Sequence, residues 1–126
     1  MNMKVKFVAL VISLIFLSNT IQQHAYAAGY LTPLTSGVEV DGYFMHETGA
    51  VTVFVSVALT NPDGCSNMSR LHIKTSTSGL ENMVAAVMTA HASGRTVGFF
   101  ANGCETLAFW GGATQSPIIT NVWVVN

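Results

Sequence analysis

Alternating apolar and polar positions predict a β-hairpin near the middle of the chain. Residues 36–45 alternate, and residues 50–59 place five apolar side chains on one face: Val51, Val53, Val55, Val57 and Leu59. A period of two is typical of a strand with one face in the core. The turn at 47–49 ends in glycine, which suits a tight connection between the two strands. We therefore expect these segments to pair.

Three further strands are predicted at 69–74, 95–101 and 118–125. In the strand at 69–74, the pattern places Leu71 and Ile73 inward and His72 outward. An Asn-Pro-Asp-Gly turn at 61–64 separates this strand from the hairpin. In the last strand, Trp123 is out of phase with its valine neighbours, which predicts either a subunit contact or a second small cluster.

A single helix is predicted over 79–93, between the third and fourth strands. Ser78 and Glu81 match the S-x-x-E capping box, and Gly94 follows at the position of a C-terminal cap. Apolar residues recur at helical spacing on one stripe, which ends at His91: Leu80, Met83, Val84, Val87 and Met88. The imidazole of His91 is expected to interact with the helix dipole.

The resulting order, β-β-β-α-β-β, is that of the OB-fold, a five-stranded barrel with its helix after the third strand. A helix with one apolar stripe suits the plug at one end of such a barrel. The competing architecture is an open α+β sheet with the helix on one face. Strand patterns alone do not separate the two.

The first residues have the form of a secretory signal peptide. Lys4 and Lys6 precede an apolar run at 7–17, and Ala25-Tyr26-Ala27 resembles a cleavage site. The run is shorter than the roughly 20 residues that span a bilayer, although a retained anchor is the alternative. We expect residues 1–27 to be removed, leaving a single domain at 28–126 that is secreted or periplasmic, with no membrane span.

The charge balance argues against nucleic acid as a partner. The chain is 50% apolar and 9% charged, and the expected mature part keeps three basic residues against six acidic ones. Such a domain has no basic patch to bind phosphates.

The two cysteines, Cys65 and Cys104, are predicted to form a disulfide. An exported chain folds in an oxidising compartment, where such a pair is usually bonded. The alternatives are a metal pair and a catalytic thiol. Neither has its usual companions, since there is no C-x-x-C and no histidine at ligand spacing.

The segment 90–100, Ala-His-Ala-Ser-Gly-Arg-Thr-Val-Gly-Phe-Phe, resembles the helix-to-strand joint of AB5 toxin B subunits of the subtilase-cytotoxin and pertussis-like group. Ser36-Gly37-Val38 is similar to the start of their first strand. Asp63-Gly64-Cys65 and Gly103-Cys104 resemble a pair found in small secreted bacterial proteins. The resemblance implies an OB-fold, a homo-oligomer of five subunits, a catalytic A subunit as partner, and glycan recognition through Ser36.

Catalytic and metal-binding patterns are missing from the sequence. His46, His72 and His91 share no H-x-H or H-x-x-x-H spacing, and no G-x-S-x-G elbow is present. Glu39 and Asp41 share one strand face, which is more typical of a solvated surface than of an acid–base pair. We therefore expect a non-catalytic protein with no metal and no cofactor.

Trp110 is the candidate ligand contact besides Ser36. It lies in the aromatic, glycine-rich segment 109–112, where large rings stack on sugars or anchor a protein partner. The alternative is that Trp110 folds back as a lid on the barrel.

The far side of the predicted helix favours a homo-oligomer, because it is small and nearly uncharged: Glu81, Asn82, Ala85, Ala86, Thr89 and Ala92. Two functions stay open. One is a B-subunit-like protein that binds glycans. The other is a periplasmic protein–protein interaction module, such as an inhibitor or envelope accessory protein, that binds no sugar.

Overall fold

The computed structural model describes residues 28–126, and the predicted signal peptide at 1–27 lies outside the described residues. This part of the chain is mostly β with one α-helix, as the sequence predicts. Its elements are β1 Gly29–Tyr30, β2 Gly42–Met45, β3 Val51–Phe54, β4 Arg70–Ile73, α1 Leu80–Ser93, β5 Thr96–Thr106, a 3-10 helix Ala108–Trp110, and β6 Gln115–Val125.

The strands form one six-stranded sheet in the order β1-β5-β6-β4-β3-β2. Neighbouring strands are antiparallel except β4 and β6, which run parallel through the pair His72↔Ile118. The predicted hairpin is present as β2 and β3, with Tyr43 opposite Val53. Both strands are shorter than predicted.

The sheet is not a closed barrel, so that part of the predicted architecture is wrong. The free edge of β5 is covered in two short pieces. Gly29 and Tyr30 of β1 pair with one stretch, and Val38 alone bridges Val97, with both backbone bonds at 2.9 Å. Residues 39–41 do not pair with β5. The pairing of Val38 therefore does not extend into β2 as a closed barrel requires.

β5 and β6, on the other side of the sheet, are both longer than predicted. β5 continues to Thr106, five residues beyond its predicted end at residue 101. Gly103 adopts φ 84°, and the register of β5 against β6 shifts between Ala101 and Cys104. The Asn102-Gly103 pair is therefore accommodated as a bulge, which lets the strand bend without ending.

The core lies between the sheet and one stripe of the helix. Val53, Leu71, Ile73, Val87 and Phe99 are fully buried there. Met83, Val87 and Ala90 supply the buried stripe of α1, whereas Met88 is 39% exposed and does not belong to it. Val57 also differs from its prediction, because β3 ends at Phe54 and leaves that side chain exposed.

The two ends of α1 differ in how well the sequence predicts them. Gly94 is the C-cap, with φ 68° and its N–H donated to the carbonyl of Ala90. The capping box is not formed. Gly79, at φ 74°, takes the N-cap position instead of Ser78, and no side chain caps the first turn.

The predicted disulfide is confirmed. Cys65, just before β4, is bonded to Cys104 of β5, across a sequence separation of 39. The surrounding loop is also held by side chains. Asn61 bonds both the N–H and the carbonyl of Cys65 at 2.8 Å, and the Asp63 carboxylate accepts the N–H of Gly103 at 2.8 Å.

Trp123 belongs to a second small cluster, on the side of β6 opposite the core. Its ring packs edge-to-face with Tyr30, at a centroid distance of 5.9 Å. The same ring lies over Gly98, where an added Cβ would come within 2.0 Å of Cε2. Glycine is therefore required at this point of β5.

Within residues 28–126, no helix is both long enough and apolar enough to cross a membrane.

Removal of the disulfide should destabilise the protein markedly. Replacing both cysteines by alanine releases the loop in the unfolded state, and we expect the free energy of unfolding to fall by about 2–5 kcal/mol. Urea denaturation of oxidised wild type and of the double variant measures this. Free thiols in the denatured, unreduced wild-type protein would contradict the bond itself.

Gly98→Ala should lower the free energy of unfolding by about 1–3 kcal/mol, because the new methyl group collides with Trp123. Gly42→Ala is the matched control. Its Cβ would meet only Phe54 Cδ2, at 3.9 Å, so we expect a gain of about 0.4–1 kcal/mol there. Equal effects of the two substitutions in chemical denaturation would rule out the packing of Trp123 on Gly98.

Candidate functional site

A cluster of histidines and aromatic rings covers the side of β2, β3 and β4 that faces away from the core. Strand alternation produces it, because Val53 and Leu71 point into the core while Thr52 and His72, directly paired across β3 and β4, point the other way. We call it the histidine–aromatic cluster, and its members are Phe44, His46, Thr52, His72, Phe109 and Trp110.

The hydroxyl of Thr52 is the centre of this cluster. It lies 2.8 Å from His46 Nε2 and 3.2 Å from His72 Nδ1, and it accepts the indole N–H of Trp110 at 3.4 Å. One hydroxyl donates one proton and accepts two. Thr52 therefore donates to one imidazole and accepts from the other, and its bonding capacity is full.

This proton count requires at least one neutral histidine. If both imidazoles were protonated, three N–H groups would face a hydroxyl that accepts only two. Burial lowers the pKa of His72, and the neighbouring His46 and Lys74 lower it as well, while Glu105 acts in the opposite direction. Burial therefore favours the neutral form of His72.

His72 was predicted to point to solvent, and only half of that prediction holds. Its side chain does lie on the non-core side of β4, yet it is 8% exposed. Leu107, Ala108 and Phe109 line the same cleft as His72. A segment distant in sequence therefore packs beside a side chain that strand periodicity places outside.

Phe109 is the most exposed ring of the cluster, with 62% of its surface accessible. It contacts Phe44 at a centroid distance of 4.9 Å and meets His46 edge-on at 5.1 Å. These contacts fix the orientation of a ring that is otherwise open to a ligand.

Trp110 folds back onto the sheet, on the side that faces away from the core. Its ring packs against Phe44 at 5.4 Å and Phe54 at 5.7 Å, and the guanidinium of Arg70 lies 4.6 Å from its centroid. With its indole N–H donated to Thr52, the ring holds the 3-10 turn onto the sheet. A direct contact between Trp110 and a ligand stays a prediction.

Ser36 lies apart from this cluster. It is exposed and sits in the loop before Val38, which bridges to β5 at the other end of the sheet order. Within residues 28–126, no side-chain hydrogen bond connects Ser36 to the histidine–aromatic cluster. Its contact with a glycan stays a prediction carried by the resemblance alone.

The cluster borders a cleft of about 680 Å³ between the β2–β3 turn and the 3-10 segment. This volume is in the range of small-molecule sites. Phe44, His46, His72 and Phe109 supply aromatic surface, and Glu47 is the charged residue among those that line it. Lys74 and Glu105 form an ion pair near the cleft, and the distance between Nζ and Oε1 is 2.6 Å.

The Thr52 hydroxyl is not an accessible nucleophile. A threonine beside a histidine has the form of an activated nucleophile, but the Thr52 side chain is fully buried and no substrate reaches its hydroxyl. Among the described residues, no group of three or more His, Cys, Asp or Glu side chains is positioned to hold a metal ion.

Comparison with known proteins identifies no relative of this chain. No protein family, curated protein or solved structure matches the chain.

Sequence reasoning missed most of this site. It evaluated His46 and His72 as possible metal ligands and found no motif spacing, although the two rings lie 5.5 Å apart. The sequence signal that could have located the site is the outer face of β3 and β4, where Thr52 and His72 pair directly. Nothing local to 107–110 shows that this segment returns to the sheet.

Acidification should destabilise the folded protein through His72. Its folded-state pKa lies below the ordinary value of 6.5, so its contribution to stability is complete above that pH and is lost as pH falls below it. We expect the free energy of unfolding to decrease between pH 7.5 and pH 5, as measured by urea denaturation at each pH.

His72→Gln should remove much of this pH dependence, because glutamine does not titrate. His91→Gln is the control. His91 is exposed on α1, and its Nδ1 bonds the carbonyl of Val40 rather than Thr52. A pH profile that is unchanged in His72→Gln but flattened in His91→Gln would show that the wrong histidine was chosen.

Proposed function

We propose that this protein is a secreted or periplasmic, non-catalytic binding protein that recognises a glycan in the cleft beside the histidine–aromatic cluster. One observation carries the proposal. A largely exposed phenylalanine, Phe109, stands at a cleft whose wall contains the imidazoles of His46 and His72.

The chemistry of the cleft matches that of a sugar ring. A pyranose presents an apolar C–H face, which stacks on an aromatic ring, and a rim of hydroxyl groups, which need hydrogen-bond partners. The hydroxyl of Thr52 is hydrogen-bonded to Nε2 of His46 and to Nδ1 of His72. The second nitrogen of each imidazole, Nδ1 of His46 and Nε2 of His72, is the group that would bond a ligand hydroxyl.

An OB-fold is part of the same proposal. Three features support it: the parallel pairing of β4 with β6, the position of α1 between β4 and β5, and the Val38–Val97 bridge at the place where a barrel would close. On this proposal, the chain resembles an AB5 toxin B subunit in which a single backbone bridge remains at the place where the barrel would close.

Oligomerisation follows from the weakness of a single small site. One neutral hydrogen bond contributes only about 0.5–1.5 kcal/mol, so useful avidity needs several linked copies. The outer side of α1, including Ala85 and Ala92, is exposed in the single chain and offers a surface of small, mostly uncharged side chains for self-association. A pentamer that carries a catalytic A subunit is the form implied by the resemblance.

Glycan-array binding of the purified protein tests the proposal. We expect the wild type to bind at least one glycan class, and Phe109→Ala to lose that signal because the stacking ring is removed. Val57→Ala is the matched control, since Val57 is also an exposed apolar residue, at 48%, and does not line the cleft.

A parallel array with Ser36→Ala separates the two candidate contacts. Loss of binding in Ser36→Ala with retention in Phe109→Ala would move the site to the loop indicated by the resemblance. Absence of glycan binding by the wild type would overturn the proposal.

A protein–protein interaction module is the second candidate, and one surface favours it. An apolar groove of about 470 Å³ runs between α1 and the β2–β3 turn. Met45 and Met88 line it and are 53% and 39% exposed. Flexible methionine side chains are common on surfaces that adapt to a protein partner.

A further inference from the structure

A second group of aromatic side chains lies at the opposite end of the sheet order from the histidine–aromatic cluster. The pairs Gly98↔Trp123 and Phe100↔Asn121 place these residues on the side of β5 and β6 away from the core, since their neighbours Val97 and Phe99 are fully buried. Tyr30 of β1 completes the group, with Phe100 at 5.0 Å.

The Trp123 ring is held in place from two directions. It rests on Gly98, which leaves room for the ring because it has no side chain. Its indole N–H donates to the carbonyl of Leu34 at 3.1 Å. The ring orientation is therefore fixed before any ligand arrives, which lowers the entropy lost on binding.

Tyr30 forms a wall perpendicular to this ring. The two ring planes meet at 81°, and Tyr30 is 51% exposed. Its backbone is anchored on both sides, because its carbonyl accepts the hydroxyl of Thr60 and the next residue, Leu31, bonds Phe99. Tyr30 and Trp123 thus line two sides of an open cavity of about 440 Å³.

The polar groups of this cavity are neutral. Its lining contains no charged side chain. Asn121 is exposed, and its Oδ1 accepts the hydroxyl of Thr120 at 3.0 Å, so the amide NH₂ is the group of this side chain that can donate to a ligand. The Tyr30 hydroxyl both donates and accepts.

We propose that this cavity is a second carbohydrate site, specific for a neutral pyranose. The sugar would stack its C–H face on the fixed indole ring, lie against Tyr30, and bond its hydroxyls to the Asn121 amide. A charged sugar is disfavoured, because no opposite charge lines the cavity to offset its desolvation. The site uses none of the residues that line the cleft beside Phe109.

The two tryptophans of the chain make the two sites separately observable. The sequence contains only Trp110 and Trp123, so an ¹H–¹⁵N spectrum shows two indole N–H signals, one from each region. The experiment titrates the purified protein with the methyl glycosides of glucose, galactose, mannose and N-acetylglucosamine. Glucuronic acid serves as the charged comparison.

We expect one or more neutral glycosides to shift the Trp123 signal saturably, with glucuronic acid giving a smaller shift. Tyr30→Ala and Asn121→Ala should each weaken that binding, by about fivefold for the lost aromatic contact. Val57→Ala should bind like wild type. The unchanged dispersion of the other backbone signals shows that each variant is folded.

A Trp123 signal that no glycoside moves, up to the solubility limit of the sugars, would overturn this proposal. So would a shift that persists in both Tyr30→Ala and Asn121→Ala, or movement of the Trp110 signal alone. The last result would support the cleft beside Phe109 while rejecting the second site. Movement of Trp123 alone would do the reverse.

Discussion

The Cys65–Cys104 disulfide is the covalent link between the two halves of the sheet. β2, β3 and β4 form one half, and β1, β5 and β6 form the other. The halves meet where β4 runs parallel to β6, and the register of that pairing contains one residue pair, His72↔Ile118. Such a short ladder provides little restraint by itself. The bond from the loop before β4 to the last part of β5, together with the shared core, keeps the halves aligned.

Each half carries one of the two candidate sites on its outer surface. The histidine–aromatic cluster belongs to β2–β4, and the Trp123 cavity belongs to β5, β6 and β1. Both depend on a polar atom that accepts a hydrogen bond from a tryptophan indole. The Thr52 hydroxyl contacts two imidazoles and one indole, and the Leu34 carbonyl accepts the other indole N–H. Because hydrogen bonds are directional, they add an orientational restraint to the packing of each ring.

Local features were predictable and long-range ones were not. The helix was evident from its apolar stripe and from Gly94, and the disulfide followed from the export signal and the two cysteines. Closure of the barrel depends on how far residues 36–45 pair with residues near 97, and periodicity carries no information about that distance. The surroundings of His72 likewise include a segment more than thirty positions away in sequence. The candidate site was missed for the same reason.

The pairing of Gly29 with Ala101 has a consequence for the order of folding. The first strand of the described chain has its partner near the end, so the sheet cannot be completed until β5 is accessible. The β2–β3 hairpin and α1 contain mostly local contacts, so they can form before β5 is accessible. Domains dominated by distant pairings fold slowly, because the loop must close before those contacts form. We therefore expect the edge formed by β1 to assemble late, and Tyr30 to reach Trp123 only after β5 is in place.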